Sequence, residues 1–386
     1  MSEFINNREY RKETIKSILK QLHEGKSIDE VKAQFQTAFE GVSAEEISQA
    51  EQALIREGLP VSEVQRLCDV HAEVFKGSIE DIHKPVEEFD MPGHPAHTLK
   101  QENRAIEKLI EAIRSNGIGL KVGLEKLYEG ISIHYKKKEN LLFPYMEKYG
   151  VTAPPKVMWG VDDEIRELLK QAQNAGNVNE AEGAFTKTLD MIFKEENIML
   201  PILHENLTGD EWKKIADESA EFGYCLIENV PAWKGVQKAE NTESAPRSQI
   251  PTGDIKLPTG SFTAKELERI FNTLPVDITF VGKDDLVHYF SQSNERIFPR
   301  TTSIIGRNVT DCHPPASMHV VEKIVADFKS GAKDSEEFYI HMKGKYIYIR
   351  YFAVRDEKGE YMGVLEVTQN IEPLQAITGE KRLLSE

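Results

Sequence analysis

Ile131-Ser132-Ile133-His134-Tyr135-Lys136-Lys137-Lys138-Glu139-Asn140-Leu141-Leu142-Phe143-Pro144 decides how the middle of this chain is read. Leu120, Leu124, Leu127, Ile131, His134, Lys138 and Leu141 step by three and four, the spacing of one face of an α-helix. Apolar side chains occupy that face except at His134 and Lys138. An imidazole and an ammonium on an apolar face need partners supplied from other helices, because burying them unpaired is costly. The stretch therefore predicts a helix and an interior polar site together.

Its neighbours supply the other helices. Leu99, Asn103, Ile106, Ile110 and Ile113 form a seam with one polar member; a third helix runs through Val161, Ile165, Leu168 and Leu169 after an interruption at Pro154-Pro155. A fourth carries Phe185, Leu189, Ile192, Phe193 and Leu200 before Pro201. Four helices joined by short turns argue an antiparallel four-helix bundle over residues 91–230, with a further helix near 210–221.

Upstream, residues 1–90 read as a small all-α domain. Ile15, Ile18, Leu19 and Leu22 share a helical face, and Ser27 with Glu30 and Ser43 with Glu46 make capping boxes. Downstream, residues 231–258 hold Pro231, Pro246, Pro251 and Pro258 among polar residues and read as a flexible linker. From 259 to 386 the period changes. Asp277–Val281 and Leu286–Phe290 flank Gly282-Lys283-Asp284-Asp285, a hairpin signal; three more strands follow at 337–341, 346–354 and 363–368, after a helix around 320–328. That order predicts an α+β domain with an antiparallel sheet and a charged C-terminal tail.

The 386 residues carry 48 Lys+Arg against 64 Asp+Glu, a formal net charge of -16. Such a surface repels phosphate backbones and anionic lipid, so neither nucleic acid nor membrane is expected as a partner. Cys68, Cys225 and Cys312 are too few and too scattered for a disulfide framework, and Met-Ser-Glu-Phe-Ile-Asn-Asn-Arg lacks the apolar run of a signal peptide. The expectation is a cytoplasmic protein.

The C-terminal element order, with Leu274-Pro275-Val276-Asp277-Ile278-Thr279-Phe280-Val281, Ile305-Gly306-Arg307-Asn308-Val309 and Gly359-Glu360-Tyr361-Met362-Gly363-Val364, resembles a PAS sensor domain over about residues 262–372. His134 ahead of Glu139-Asn140-Leu141-Leu142-Phe143-Pro144, together with Glu195-Glu196-Asn197-Ile198-Met199-Leu200-Pro201, resembles a hemerythrin-like, HHE cation-binding bundle. The first 90 residues resemble an uncharacterised helical domain that precedes such bundles in bacterial proteins.

The hemerythrin resemblance implies a di-iron centre, with Glu-His on the first and third helices and His-x-x-x-Glu on the second and fourth. This chain keeps two of the six ligands, His134 and Glu195. Glu102-Asn103 and Asp162-Asp163 stand where Glu-His is expected, Lys138 stands four residues after His134, and Met191 replaces a histidine. One reading is a shifted mono- or dinuclear non-haem iron site of His97, His134, Asp163 and Glu195, with His94 and Glu139 as secondary ligands. The other is metal-free: Lys138, facing Glu195 and Asp163, replaces the metal's charge in a network completed by Asn103 and His134. Cys68 and His71 lie three residues apart on one helix, a spacing that can hold zinc but more often belongs to core residues, and they read as core.

A PAS fold implies a pocket that holds haem, flavin, a small metabolite or nothing. Gly306-Arg307-Asn308 is followed by Val309, not cysteine, so the photosensory flavin adduct is excluded. Cys312 and His313 in Asp311-Cys312-His313-Pro314-Pro315 are candidate haem ligands, with His319 behind them; the competing reading makes Cys312 a small buried hydrophobe and His313 a turn residue. Tyr346–Val354 has aromatics on both faces, which predicts a homodimer through the PAS sheet.

No catalytic triad, phosphate loop or helix-turn-helix is present. The expected function is a sensor rather than an enzyme: the bundle detects oxygen, nitric oxide, iron or redox state, the PAS domain detects a ligand or mediates dimers, and a downstream protein partner receives the output. Iron handling or stress repair is the alternative, and a non-haem iron oxygen-activating enzyme the second. The sequence names neither the signal, the PAS ligand, the downstream partner nor the role of residues 1–90.

Overall fold

The computed structural model describes residues 2–23, 25–27, 30–31, 33–34, 44–60, 64, 87–235, 254–293, 296–342 and 344–380. Cys68 and His71, and the capping at Ser43, lie outside the described residues. The chain divides into a helical unit and a sheet-containing unit. Among the described residues no helix is long and apolar enough to cross a membrane.

In the helical unit, α1 (Ser2–His23) and α2 (Ala44–Arg56) are followed by the bundle helices: α3 (Pro95–Arg114), α4 (Leu120–Lys137), α6 (Ala153–Ala175) and α7 (Val178–Lys194). Their apolar seams meet in one core that includes Ile106, Ile110, Leu124, Leu127, Ile131, Ile165, Leu169, Phe185 and Ile192. Helix α9 (Gly209–Phe222) closes its flank, capped by Thr208 and Glu211 in a reciprocal box. Pro154 and Pro155 fall in the first turn of α6, where a missing N–H is harmless, so they begin that helix.

Helices α4 and α7 each run into a π-helical turn, Lys138–Leu142 and Glu195–Met199, and then resume as α5 (Phe143–Lys148) and α8 (Leu200–Asn206). The two turns have the same sequence cause. Pro144 and Pro201 cannot donate to the carbonyl four residues back, so the ladder widens by one residue. Asn140 Nδ2 donates to the Lys136 carbonyl at 2.7 Å, and Asn197 Nδ2 to that of Phe193 at 2.9 Å. Lys138 and Glu195 thus open equivalent turns on facing helices.

Both ends of the expected linker are ordered. Trp233 is buried in the bundle core, and Asp254–Leu257 is strand β1, paired with β2 (Gly260–Thr263). Gly93 at φ +86 permits the first attachment, since a Cβ there would lie 2.3 Å from the Pro231 carbonyl oxygen. The N-terminal helices share the bundle's unit, where Gln52 Nε2 donates to the Gly150 carbonyl at 3.2 Å.

The second unit contains α10 (Ala264–Thr273) and a five-stranded antiparallel sheet of order β4-β3-β7-β6-β5. The strands are β3 (Asp277–Gly282), β4 (Val287–Phe290), β5 (Ser335–Met342), β6 (Lys345–Arg355) and β7 (Tyr361–Asn370). Helix α11 (Pro315–Ser330) lies between β4 and β5 in sequence. Val281, Val287, Phe290, Ile304, Phe328 and Val364 form the core, with Ile324 and Tyr351 against it.

Candidate functional sites

The polar face of α4 meets α3, α6 and the end of α7 inside the bundle. Glu102, His134, Lys138, Asp162 and Glu195 are each fully buried. His134 Nδ1 lies 2.6 Å from Glu102 Oε2 and His134 Nε2 lies 3.1 Å from Glu195 Oε2. Carboxylates only accept, so both ring nitrogens carry hydrogen and the ring is an imidazolium. Lys138 Nζ donates to Asp162 Oδ1 at 2.8 Å and to Glu195 Oε1 at 2.6 Å, and sits 4.2 Å from the centre of the Tyr135 ring. Lys137 Nζ donates to Glu102 Oε1, which also accepts from the Cys225 backbone N–H at 3.0 Å. Three carboxylates thus face three cationic groups, a balanced interior.

The electrostatics follow from this pairing. Burial alone would raise the Glu195 carboxyl, but Lys138 and His134 overcome it and hold it down at about 2. Burial alone would lower His134; Glu195 and Glu102 lift it to about 9. Lys138 is likewise raised despite burial, by Asp162 and Glu195. Burial pushes Asp162 up to about 6 against the pull of Lys138 and Arg166.

His134 and Glu195 are the two expected ligands that meet. Asp163 does not join them: it is more than a third exposed and pairs with Arg166 at 2.8 Å. Asp162 points inward instead, because it lies three residues before Ile165 and seven before Leu169 on the core face. Glu139 is buried but turns to Arg166 at 2.8 Å, and burial lifts its carboxyl to about 8. His94 caps α3, with Nδ1 accepting from the Ala96 N–H at 3.1 Å, and packs in tilted and edge contacts among Phe89, Trp212 and Trp233. His97 is half-buried in the first turn of α3, two turns before Asn103. Asn103 Nδ2 reaches Glu196 at 3.1 Å rather than His134, leaving its buried Oδ1 without a partner. Glu102 and Lys137 are members that the periodicity left out of the ligand set; Glu102 lies on the apolar face of α3, three residues after Leu99 and four before Ile106.

The sheet-containing unit holds a second site. A cavity of about 300 Å³ is lined by Val281, Val309, Val320, Ile324, Val364 and other apolar groups, with His313, Ser317, Tyr351 and Glu366 as polar members. His313 Nδ1 lies 2.8 Å from the Val309 carbonyl oxygen. A carbonyl only accepts, so Nδ1 carries the hydrogen; burial lowers the ring's pKa and keeps it neutral. Nε2 is then an unprotonated lone pair on a ring that lines an apolar cavity. Glu366 is held by Arg300 Nη2 at 3.1 Å. Cys312 does not line the cavity, its Sγ donating weakly to the Asn308 carbonyl at 3.5 Å, and His319 is exposed.

Residues 15–81 match DUF438, a family of unknown function; residues 94–203 match the hemerythrin HHE cation-binding domain; residues 267–372 match a PAS domain. This is the three-part order expected from the residues. Among solved structures the chain is similar to a C-terminal domain from Streptococcus mutans, at 36% identity over 32% of this chain and 96% of that one, TM-score 0.31. It is also similar to a PAS domain from Colwellia psychrerythraea (16% identity, 28% and 97% covered, TM-score 0.23) and to a sensory box sensor histidine kinase from Vibrio cholerae (14%, 28% and 89%, 0.21). No curated protein matches the chain.

A cation-binding family implies a metal, and the residues at the bundle centre do not fit one. Both nitrogens of the one central imidazole are engaged as donors, and a lysine ammonium lies between the inward carboxylates. Among the described residues no group of three His, Cys, Asp or Glu is arranged to hold an ion.

Proposed function

We propose that this is a sensory protein whose signal enters through the cavity of the PAS domain. What carries the reading is His313, which lines an apolar cavity with Nδ1 committed to the Val309 carbonyl and Nε2 left as the ring's acceptor. The matching ligand has an apolar body and one electron-pair-accepting point, either a hydrogen-bond donor or a haem iron. His313 fits the role of an axial ligand, because metal-bound imidazoles characteristically donate their other N–H to a carbonyl. Haem would supply a centre for diatomic gases or redox change. Cys312, turned to Asn308, is assigned no part in it.

Sensing of oxygen, nitric oxide, iron or redox state by the bundle would need a metal with an open position, as would iron handling or oxygen activation. The ammonium of Lys138 and the imidazolium of His134 fill the place such a metal would take, which favours the PAS cavity as receiver. Titrating the full chain with haemin tests the reading. The expected result is either a sharpened Soret band that His313→Ala loses, or a small molecule extracted from the purified wild-type chain and absent from His313→Ala. A wild-type chain that neither binds haemin nor retains an extractable molecule would count against it.

Output through a homodimer belongs to the same proposal. Tyr339 is 65% exposed and Ile340 40% exposed on edge strand β5, and Tyr348 stands opposite Tyr339 on β6. Light scattering of the full chain should give twice the monomer mass, and Tyr339→Lys with Tyr348→Lys should return it to the monomer; an unaltered dimer would remove this sheet from the interface.

A further inference from the structure

We propose that Lys138 is a tethered cation: its ammonium permanently occupies a cation site that the bundle still builds, so the native bundle takes up no metal and loss of that ammonium restores a divalent-metal site. The first support is the internal repeat. Lys138-Glu139-Asn140-Leu141-Leu142-Phe143-Pro144 and Glu195-Glu196-Asn197-Ile198-Met199-Leu200-Pro201 open equivalent π turns. The same register therefore carries an ammonium on one helix and a carboxylate on the facing one, joined at 2.6 Å.

The second support is what surrounds the ammonium. Asp162 Oδ1 and Glu195 Oε1 hold Nζ, and Glu195 Oε2 meets His134 Nε2. Asp162 Oδ2 is buried with no hydrogen-bond partner. Two hard carboxylates and one imidazole form a donor set for Mn²⁺, Fe²⁺, Co²⁺ or Zn²⁺, and the orphaned oxygen supplies a further contact. Behind them, Glu102 accepts from His134 Nδ1, the carboxylate–imidazole support usual behind a metal-ligating ring. Charge stands in the way, and so does spacing, since around the ammonium of Lys138 no three of these donors are arranged to hold an ion. With Lys138 present, a divalent ion would add two positive charges to a centre already balanced. With it absent, His134 can release its Nε2 proton to solvent and turn that lone pair to the ion.

The test uses Co²⁺, whose visible bands report ligation, added to the full wild-type chain and to Lys138→Ala and Lys138→Glu. Metal content after gel filtration is the second readout. The wild type is expected to show no bands and to retain almost no Co²⁺. The variants should retain about one ion per chain and melt at higher temperature with Co²⁺ than without it, as ligand linkage requires. Adding His134→Ala to Lys138→Ala should abolish the bands. A wild-type chain that retains Co²⁺ through His134 would overturn the proposal. So would variants that fold without binding Co²⁺, or that fail to fold and are not rescued by it. Glu182→Gln, whose carboxylate pairs with Arg114 at 2.8 Å on the bundle surface, should leave every arm unchanged.

Discussion

Lys138→Met is expected to lower the bundle's unfolding free energy by about 3–5 kcal/mol in metal-free buffer, the range for removing one partner of a buried ion pair. The loss is large because Nζ serves two carboxylates, those of Asp162 and Glu195, in a site with no exposed surface. Against a domain stability of about 5–15 kcal/mol it is a substantial share. All three tryptophans of the chain, Trp159, Trp212 and Trp233, lie in the bundle core, so tryptophan fluorescence in urea reads this unit without the sheet domain. Adding Asp162→Asn should restore most of the loss, because Glu102 and Glu195 then face Lys137 and His134 and no charge is left stranded. A cost below about 1 kcal/mol for Lys138→Met, the worth of a solvated surface pair, would mean that the ammonium is not held inside.

The helices were legible because burial imposes a three-and-four period whatever the chemistry: Leu120, Leu124, Leu127 and Ile131 can share one face only as a helix. The strands were legible from Gly282-Lys283-Asp284-Asp285 and the aromatic runs after it. The site was legible only in part, for two physical reasons. Helix phase decides which of two adjacent acids turns inward, and one residue is 100° of rotation; that margin separates Asp163 from Asp162, which shares the Ile165–Leu169 face. The π turns shift phase again after Lys138 and Glu195, which a uniform 3.6 period conceals; Pro144 and Pro201 carried the signal. Glu102 was visible as an acid on an apolar stripe, yet its partners sit on α4, and sequence spacing carries no information across helices. Residues 231–258 are polar in composition, but Trp233 among them carries a large apolar surface, and the bundle covers it.

Between pH 6.5 and pH 9 the melting temperature reported by tryptophan should fall steadily, and His134 is the main reason. Its pKa is raised from 6.5 to about 9 by Glu195 and Glu102 acting against burial. A raised cationic group contributes fully below its unfolded value and loses that contribution as pH climbs through the folded one. At 1.36 kcal/mol per pKa unit, the loss across the window is about 3 kcal/mol. Glu139 works in the same direction for the opposite reason. Burial raises it from 4.5 to about 8, so the native state increasingly bears the cost of an ionised buried carboxylate as pH rises. Glu195 sets the other limb: lowered to about 2, it stabilises above 4.5, and that stability disappears as pH falls towards 2. The optimum therefore lies on the acid side of neutrality. Deprotonation elsewhere on this acidic chain also disfavours compactness at high pH, so the decisive comparison is the slope in His134→Gln, a side chain with no proton to lose in this range. Its alkaline limb should be much flatter than that of the wild type, whatever its absolute stability. Equal slopes would show that His134 does not titrate between its two carboxylates, and the imidazolium on which the charge balance of the bundle depends would have to be abandoned.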